Sequence, residues 1–120
     1  MDTPFTIECI KEAVAAAWAE EKAQEDYERR YNAAVEAVVA RSLPVNRKGL
    51  LDQIAHSVVS GGKVVEYTIS ATGDSEPASV CSEARYRIAQ KICDELNTAA
   101  SRTVAFSHAD GNFTVYTSYF

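Results

Sequence analysis

The sequence predicts an α+β fold: an N-terminal long helix (or helical hairpin) and a second helix, then a β-α-β-β unit whose three-stranded antiparallel sheet is covered by a helix. Three observations carry that reading. Apolar residues recur near helical spacing through the first forty positions, the period changes from 3.6 to 2 after Lys63, and Asp110 and Gly111 join two β-rich runs. An Asp-Gly turn between such runs is a strong local signal for a hairpin.

The first helix is expected to start with Asp2 or Thr3 as cap and Pro4 at its first position, where a missing amide hydrogen costs nothing. Its apolar positions are Ile7, Ile10, Val14 and Trp18, then Tyr27, Tyr31, Ala34, Val35 and Val38. Ala19 to Arg30 between them is rich in Glu and Lys, a strongly helix-forming composition. Propensity therefore runs one helix from Phe5 to Arg41, and Pro44 is expected to stop it. Such a helix would be roughly 55 Å long, against about 35 Å for a compact domain of this size. Either it breaks within Glu20 to Glu25 and folds back as a hairpin, or its stripe is covered by another chain. Residues 19–30 hold no Gly or Pro to build a turn, which favours the covered helix and hence a homo-oligomer.

Asn46 is the expected cap of the second helix, with Leu50, Leu51, Ile54, Ala55, Val58 and Val59 as its apolar face and Gly61 and Gly62 as its stop. Lys63 to Thr72 alternates as a strand does, Val65, Tyr67, Ile69 and Ala71 falling on one face. Thr72 to Ser79, with Gly73, Asp74, Ser75 and Pro77, reads as an exposed loop. Ser79 or Ser82 then opens a third helix to about Ala100, with a stripe of Cys81, Ala84, Ile88, Ile92, Leu96 and Ala99. Thr103 to His108 and Asn112 to Phe120 form the hairpin through Ala109, Asp110 and Gly111. A strand, a helix and a hairpin in that order suggest a split β-α-β sheet, the third strand lying between two parallel ones and antiparallel to both. Tyr67, Ile69, Val104, Phe106, Phe113 and Val115 are expected on its apolar face, with Tyr116 and Phe120 turned the other way.

At 120 residues the chain is expected to be one domain, 1–120, with a helical part over 1–60 and the β-α-β-β part over 63–120. Its hydrophobic and charged fractions, 47% and 24%, are ordinary for globular proteins. No uninterrupted apolar run is long enough for a bilayer span, and the opening residues lack the basic start of an export signal. Three cysteines cannot all pair within the chain, which points to a reducing, cytoplasmic setting with Cys9, Cys81 and Cys93 as small core residues. The net charge of −5 is unevenly spread, −5 over residues 1–40 and +3 over residues 41–63. Such a balance disfavours nucleic acid as a partner.

Catalytic motifs are lacking. His56 and His108 are the candidate bases near neutral pH, and neither lies in a setting that names a reaction. No close pair of Cys or His pre-arranges a zinc site, and no cofactor is expected. Gly61-Gly62-Lys63 has the wrong order of elements for a phosphate loop and reads as a helix stop. Glu20, Glu21, Glu25, Asp26 and Glu28 form an acidic run suited to a solvated helix face or to phosphate mimicry, diluted by Arg29 and Arg30. Arg41, Arg47 and Lys48 form a small basic cluster without interleaved aromatics.

These features point to a non-catalytic interaction protein, a regulator or inhibitor that occludes a larger protein partner as a homo-oligomer, with a dimer as first choice. That profile would suit an accessory protein of a virus or mobile element. The expected contact residues are Glu21, Glu25, Tyr27, Glu28 and Tyr31 on the long helix and Tyr116, Tyr119 and Phe120 at the C-terminus. The alternative is a binder of an anionic metabolite or nucleotide, with Arg85, Arg87, Arg102 and His108 around a pocket between subunits.

Overall fold

A computed structural model describes residues 5–71, 77–108 and 111–120. The elements are helix α1 (Ile7–Val59), strand β1 (Val64–Thr68), helix α2 (Ala78–Ala100), strands β2 (Ala105–Ser107) and β3 (Asn112–Tyr116), and a closing 3-10 turn (Thr117–Tyr119). The caps expected at Asp2, Thr3 and Pro4, most of the loop at 72–76 and the turn at Ala109 and Asp110 lie outside the described residues.

Helix α1 is unbroken for 53 residues, so neither the fold-back within Glu20 to Glu25 nor the stop at Pro44 occurs. A proline inside a helix loses one hydrogen bond and crowds the carbonyl four residues back, at a cost of about 3 kcal/mol. Here the buried residues Val35, Val38, Val39, Ser42, Asn46 and Leu50 lie on both sides of Pro44 along one stripe, and their burial offsets that cost. The separate second helix is thus the C-terminal part of α1. Of its expected face only Leu50 is buried and Ile54 half-buried, while Leu51, Val58 and Val59 are exposed. The helix stops where glycine permits a left-handed residue: Gly61 has φ 78°, the Gly61 amide donates to the Val58 carbonyl and the Gly62 amide to that of Ser57.

The chain divides into two compact units, Met1–Ala33 and Ala34–Phe120. The first is helical from Ile7 onward, and from Phe5 to Arg30 every side chain is exposed except half-buried Asp26. The second contains the sheet, whose order is β1-β3-β2. Strand β3 is antiparallel to both neighbours, with Val65 opposite Val115 and Ala105 also opposite Val115. This is the predicted split β-α-β topology.

Val65, Ile69, Phe113 and Val115 of the sheet side and Val80, Ala84, Ile88, Ala89, Ile92 and Cys93 of α2 are buried, and with Val35, Val38, Val39 and Leu50 of α1 and Ala71, Val104 and Ala105 they form the core. On α2 the buried stripe departs from expectation at its ends: Cys81 and Leu96 are half-buried and Ala99 is exposed. Phe106 is a second correction. It is 46% exposed, because its partner across the sheet is Thr114, which faces away from Phe113 and Val115. Val104 and Ala105 are both buried, so the alternation assumed from Val104 slips by one residue at the strand's start. The cause is Asn97, whose Oδ1 accepts the amides of both Val104 and Ala105, at 2.7 and 2.9 Å. The last strand ends at Tyr116, and Tyr119 and Phe120 belong to the 3-10 turn and its end rather than to a strand.

Candidate binding surfaces

Thr6 opens α1: its Oγ1 accepts the Cys9 amide at 3.1 Å, the work of a helix cap. Beyond it Ile7, Ile10, Val14 and Trp18 recur at spacings of three and four, so they share one side of the helix. All are exposed, Trp18 at 71%, and Phe5 just before the helix stands at 89%. Isolated exposed apolar residues are ordinary, but a continuous stripe ending in tryptophan marks a contact surface.

The acidic candidates follow on the same segment. Glu21 and Glu25 border a shallow depression with Trp18, Lys22, Asp26 and Arg29. Asp26 pairs with Arg29 at 3.2 Å, an exposed pair that adds little to stability, and Glu28 accepts a bond from Gln24 at 3.3 Å. Tyr27 and Tyr31 stack with ring centres 6.4 Å apart. The segment therefore carries an apolar stripe, then carboxylates interrupted by Lys22 and Arg29, then an aromatic pair.

In the second unit the C-terminal aromatics occupy the open side of the sheet and its margin. Tyr116 meets Phe106 edge-on at 5.7 Å, and the guanidinium of Arg102 lies 3.9 Å from the centre of the Tyr119 ring. Phe120 is half exposed. Their backbone is held by Thr117, a buried residue whose Oγ1 donates to the Gly62 carbonyl at 3.0 Å and whose amide donates to that of Lys63 at 2.9 Å.

The four residues of the anion reading each have a different neighbour. Arg85 donates to Ser82, and Arg87 pairs with Glu36 at 2.8 Å and Glu83 at 3.1 Å. Arg102 lies over Tyr119, and the His108 ring is 2.9 Å from the Thr114 hydroxyl on the open side of the sheet. Arg47 and Glu95 form a two-point pair between α1 and α2, which raises the Arg47 pKa above its ordinary value. Among the described residues no three His, Cys, Asp or Glu side chains gather as a metal site, and no helix is long and apolar enough to cross a membrane. Cys93 is buried, and that burial, reinforced by Asp94, pushes its thiol up to about 11. Cys81 is half-buried and Cys9 is exposed, which corrects the expectation of a core position for Cys9.

The residues that the sequence reading missed are two asparagines. Asn46, expected at a helix cap, is fully buried inside α1. Its Nδ2 donates to the carbonyls of Ser42 and Ser70, both at 2.8 Å, while its Oδ1 accepts the Ser70 amide at 3.0 Å and the Tyr67 hydroxyl at 3.3 Å. Asn97 treats Ala105 in the same manner, accepting its amide and donating to its carbonyl at 3.2 Å. Each side chain takes both backbone groups of one residue at an edge strand, Ser70 just beyond β1 and Ala105 at the start of β2, as a neighbouring strand would. Comparison with family models, with curated proteins and with solved structures gives no match.

Proposed function

We propose that this chain is a non-catalytic interaction protein that occludes a larger protein partner, and that it self-associates through its N-terminal helical face. The supporting observation is the exposed stripe of Ile7, Ile10, Val14 and Trp18, extended by Phe5. Apolar surface left in water forfeits about 25 cal/mol per Å², so a folded stripe of this kind gains from being covered. A second copy supplies a matching stripe, as the isologous contact of a two-fold dimer requires.

Charge favours an antiparallel pairing. The three-four spacing of Ile7, Ile10, Val14 and Ala17 continues onto Glu21, Gln24 and Glu28. A parallel, in-register pair would set Glu21 and Glu28 against their own copies. An antiparallel overlap confined to Ile7 to Trp18 avoids this and leaves Glu21, Glu25 and Glu28, with Tyr27 and Tyr31, for the partner. Tyr116, Tyr119 and Phe120 supply a further aromatic surface.

Two variants separate the parts of this reading. Val14→Glu should lower the sedimenting mass to that of one chain, and Glu21→Lys, Glu25→Lys and Glu28→Lys together should abolish stoichiometric capture of one partner protein while leaving the mass unchanged. Unchanged capture removes the acidic face from the reading. A rise in melting temperature with nucleotides or other anionic metabolites, without any protein partner, would transfer the assignment to the anion reading on Arg85, Arg87, Arg102 and His108.

A further inference from the structure

The second unit carries a binding edge of its own. Strand β1 has β3 on one side only. The Ile69 amide donates to Gly111 and the Lys63 carbonyl accepts from Thr117, so the odd-numbered residues of this stretch point their backbone groups at β3 and its flanks. Val64, Glu66 and Thr68 therefore point theirs away from the sheet, and among the described residues those groups have no partner. Asn46 closes the edge at Ser70, and from Thr68 back to Val64 it stays open.

Beside this open stretch lies a groove of 520 Å³, with Asp52, Gln53 and His56 of α1 on one wall and Val64 and Glu66 of β1 on the other. Neither Asp52 nor Glu66 forms an ion pair among the described residues. A free strand edge beside a groove is the geometry of strand addition, in which backbone bonds hold an extended peptide and alternate side chains select it. The two carboxylates select for a basic one. A second copy's β1 does not meet that need: in an antiparallel pairing, backbone parity places Val64, Glu66 or Thr68 across from Glu66, and none is cationic.

We infer that the outer edge of β1 is a strand-addition site for an extended, lysine- or arginine-bearing peptide segment of another protein, with Glu66 and Asp52 receiving its basic side chains. The site uses the second unit alone and stands or falls separately from the helical face.

The probe is a short fluorescein-labelled peptide of alternating valine and lysine, compared with the same peptide N-methylated at alternate residues and with glutamate in place of lysine. Saturable binding to the full chain is expected, with the Val64, Glu66 and Thr68 amides shifting in two-dimensional NMR spectra. Glu66→Lys, at an exposed position, should weaken binding roughly tenfold or more. Val64→Pro, which removes an outward amide at the first residue of an edge strand, should weaken it as well. Loss of binding on N-methylation supports strand addition. Equal affinity for the N-methylated peptide would reduce the effect to surface charge and overturn the site, as would no saturable binding at millimolar peptide. Concentration-dependent protection of those three amides in the chain alone would assign the edge to a second copy instead.

Discussion

Replacing Asn46 with alanine removes the side chain that joins α1 to Ser70, two residues beyond β1. Three of its hydrogen bonds, to Ser42 and to both backbone groups of Ser70, are 2.8 to 3.0 Å long, and the fourth, from Tyr67, is weaker at 3.3 Å. At about 1 kcal/mol net for each of the short bonds, their loss costs about 3 kcal/mol. The void left by the amide adds about 1 kcal/mol, because the site is fully buried. The expected destabilisation of about 3 to 4 kcal/mol is a large part of the roughly 5 to 15 kcal/mol that holds a domain folded. With a urea dependence of about 2 kcal/mol per molar, the midpoint of unfolding, followed by circular dichroism, falls by about 1.5 to 2 M. Asn46→Asp keeps both acceptances but sets a carboxylate oxygen against the Ser42 and Ser70 carbonyls. It should be as damaging at neutral pH and partly recover in acid, where a protonated carboxyl donates one of the lost bonds. A loss below about 1 kcal/mol for Asn46→Ala would mean that water replaces these bonds at no cost and that Asn46 does not hold Ser70 in place.

Three further outcomes follow from the same structure. Ser101, the residue after α2, is left-handed at φ 56° while Arg102 donates back to Asn97, so Ser101→Gly should relieve strain and raise stability by about 1 kcal/mol in thermal unfolding. Gly49→Ala should destabilise by about 1 to 3 kcal/mol despite alanine's better helix propensity, because its methyl would stand 2.7 Å from the Tyr67 hydroxyl; an unchanged urea midpoint would show that Tyr67 yields freely. Burial holds the Cys93 thiol at about 11 in the folded chain, against an ordinary value of 9.0. The unfolded chain therefore releases its proton first, and stability contributed by the neutral thiol is fully present below about pH 9 and declines as pH rises through about 11, by on the order of 2 kcal/mol in total. Comparing Cys93→Ala with the parent chain across that range isolates the effect: the variant should lack this part of the alkaline decline.

The helical or strand character of each segment was legible because it rests on a local, periodic signal, and the order of the strands followed from their sequence. Val65, Tyr67, Ile69 and Ala71 alternate over a period of two, and a strand, a helix and a hairpin leave few ways to place the third strand. What failed was decided by contacts distant in sequence. Pro44 is a valid local stop signal, overruled by a buried stripe that continues on its far side. Asn46, two residues later, resembles a cap for the same local reason, yet two of its partners, Tyr67 and Ser70, lie twenty-one and twenty-four residues away. Phe106 fitted a simple alternation from Val104, which Asn97 shifts by binding two successive amides. Of the candidate surfaces, the N-terminal stripe was visible as spacing, and the lack of Gly or Pro over residues 19–30 favoured the unbroken helix that leaves it uncovered by its own fold. The open edge of β1 was not legible, since a strand's free side depends on the whole topology.

Self-association through the N-terminal helical face is read out by sedimentation equilibrium of the full chain at micromolar concentration. The expected mass is at least twice the 13.1 kDa of one chain, reduced to one chain by Val14→Glu with the helical circular dichroism signal retained. A single-chain mass for the unaltered protein across that range would contradict it.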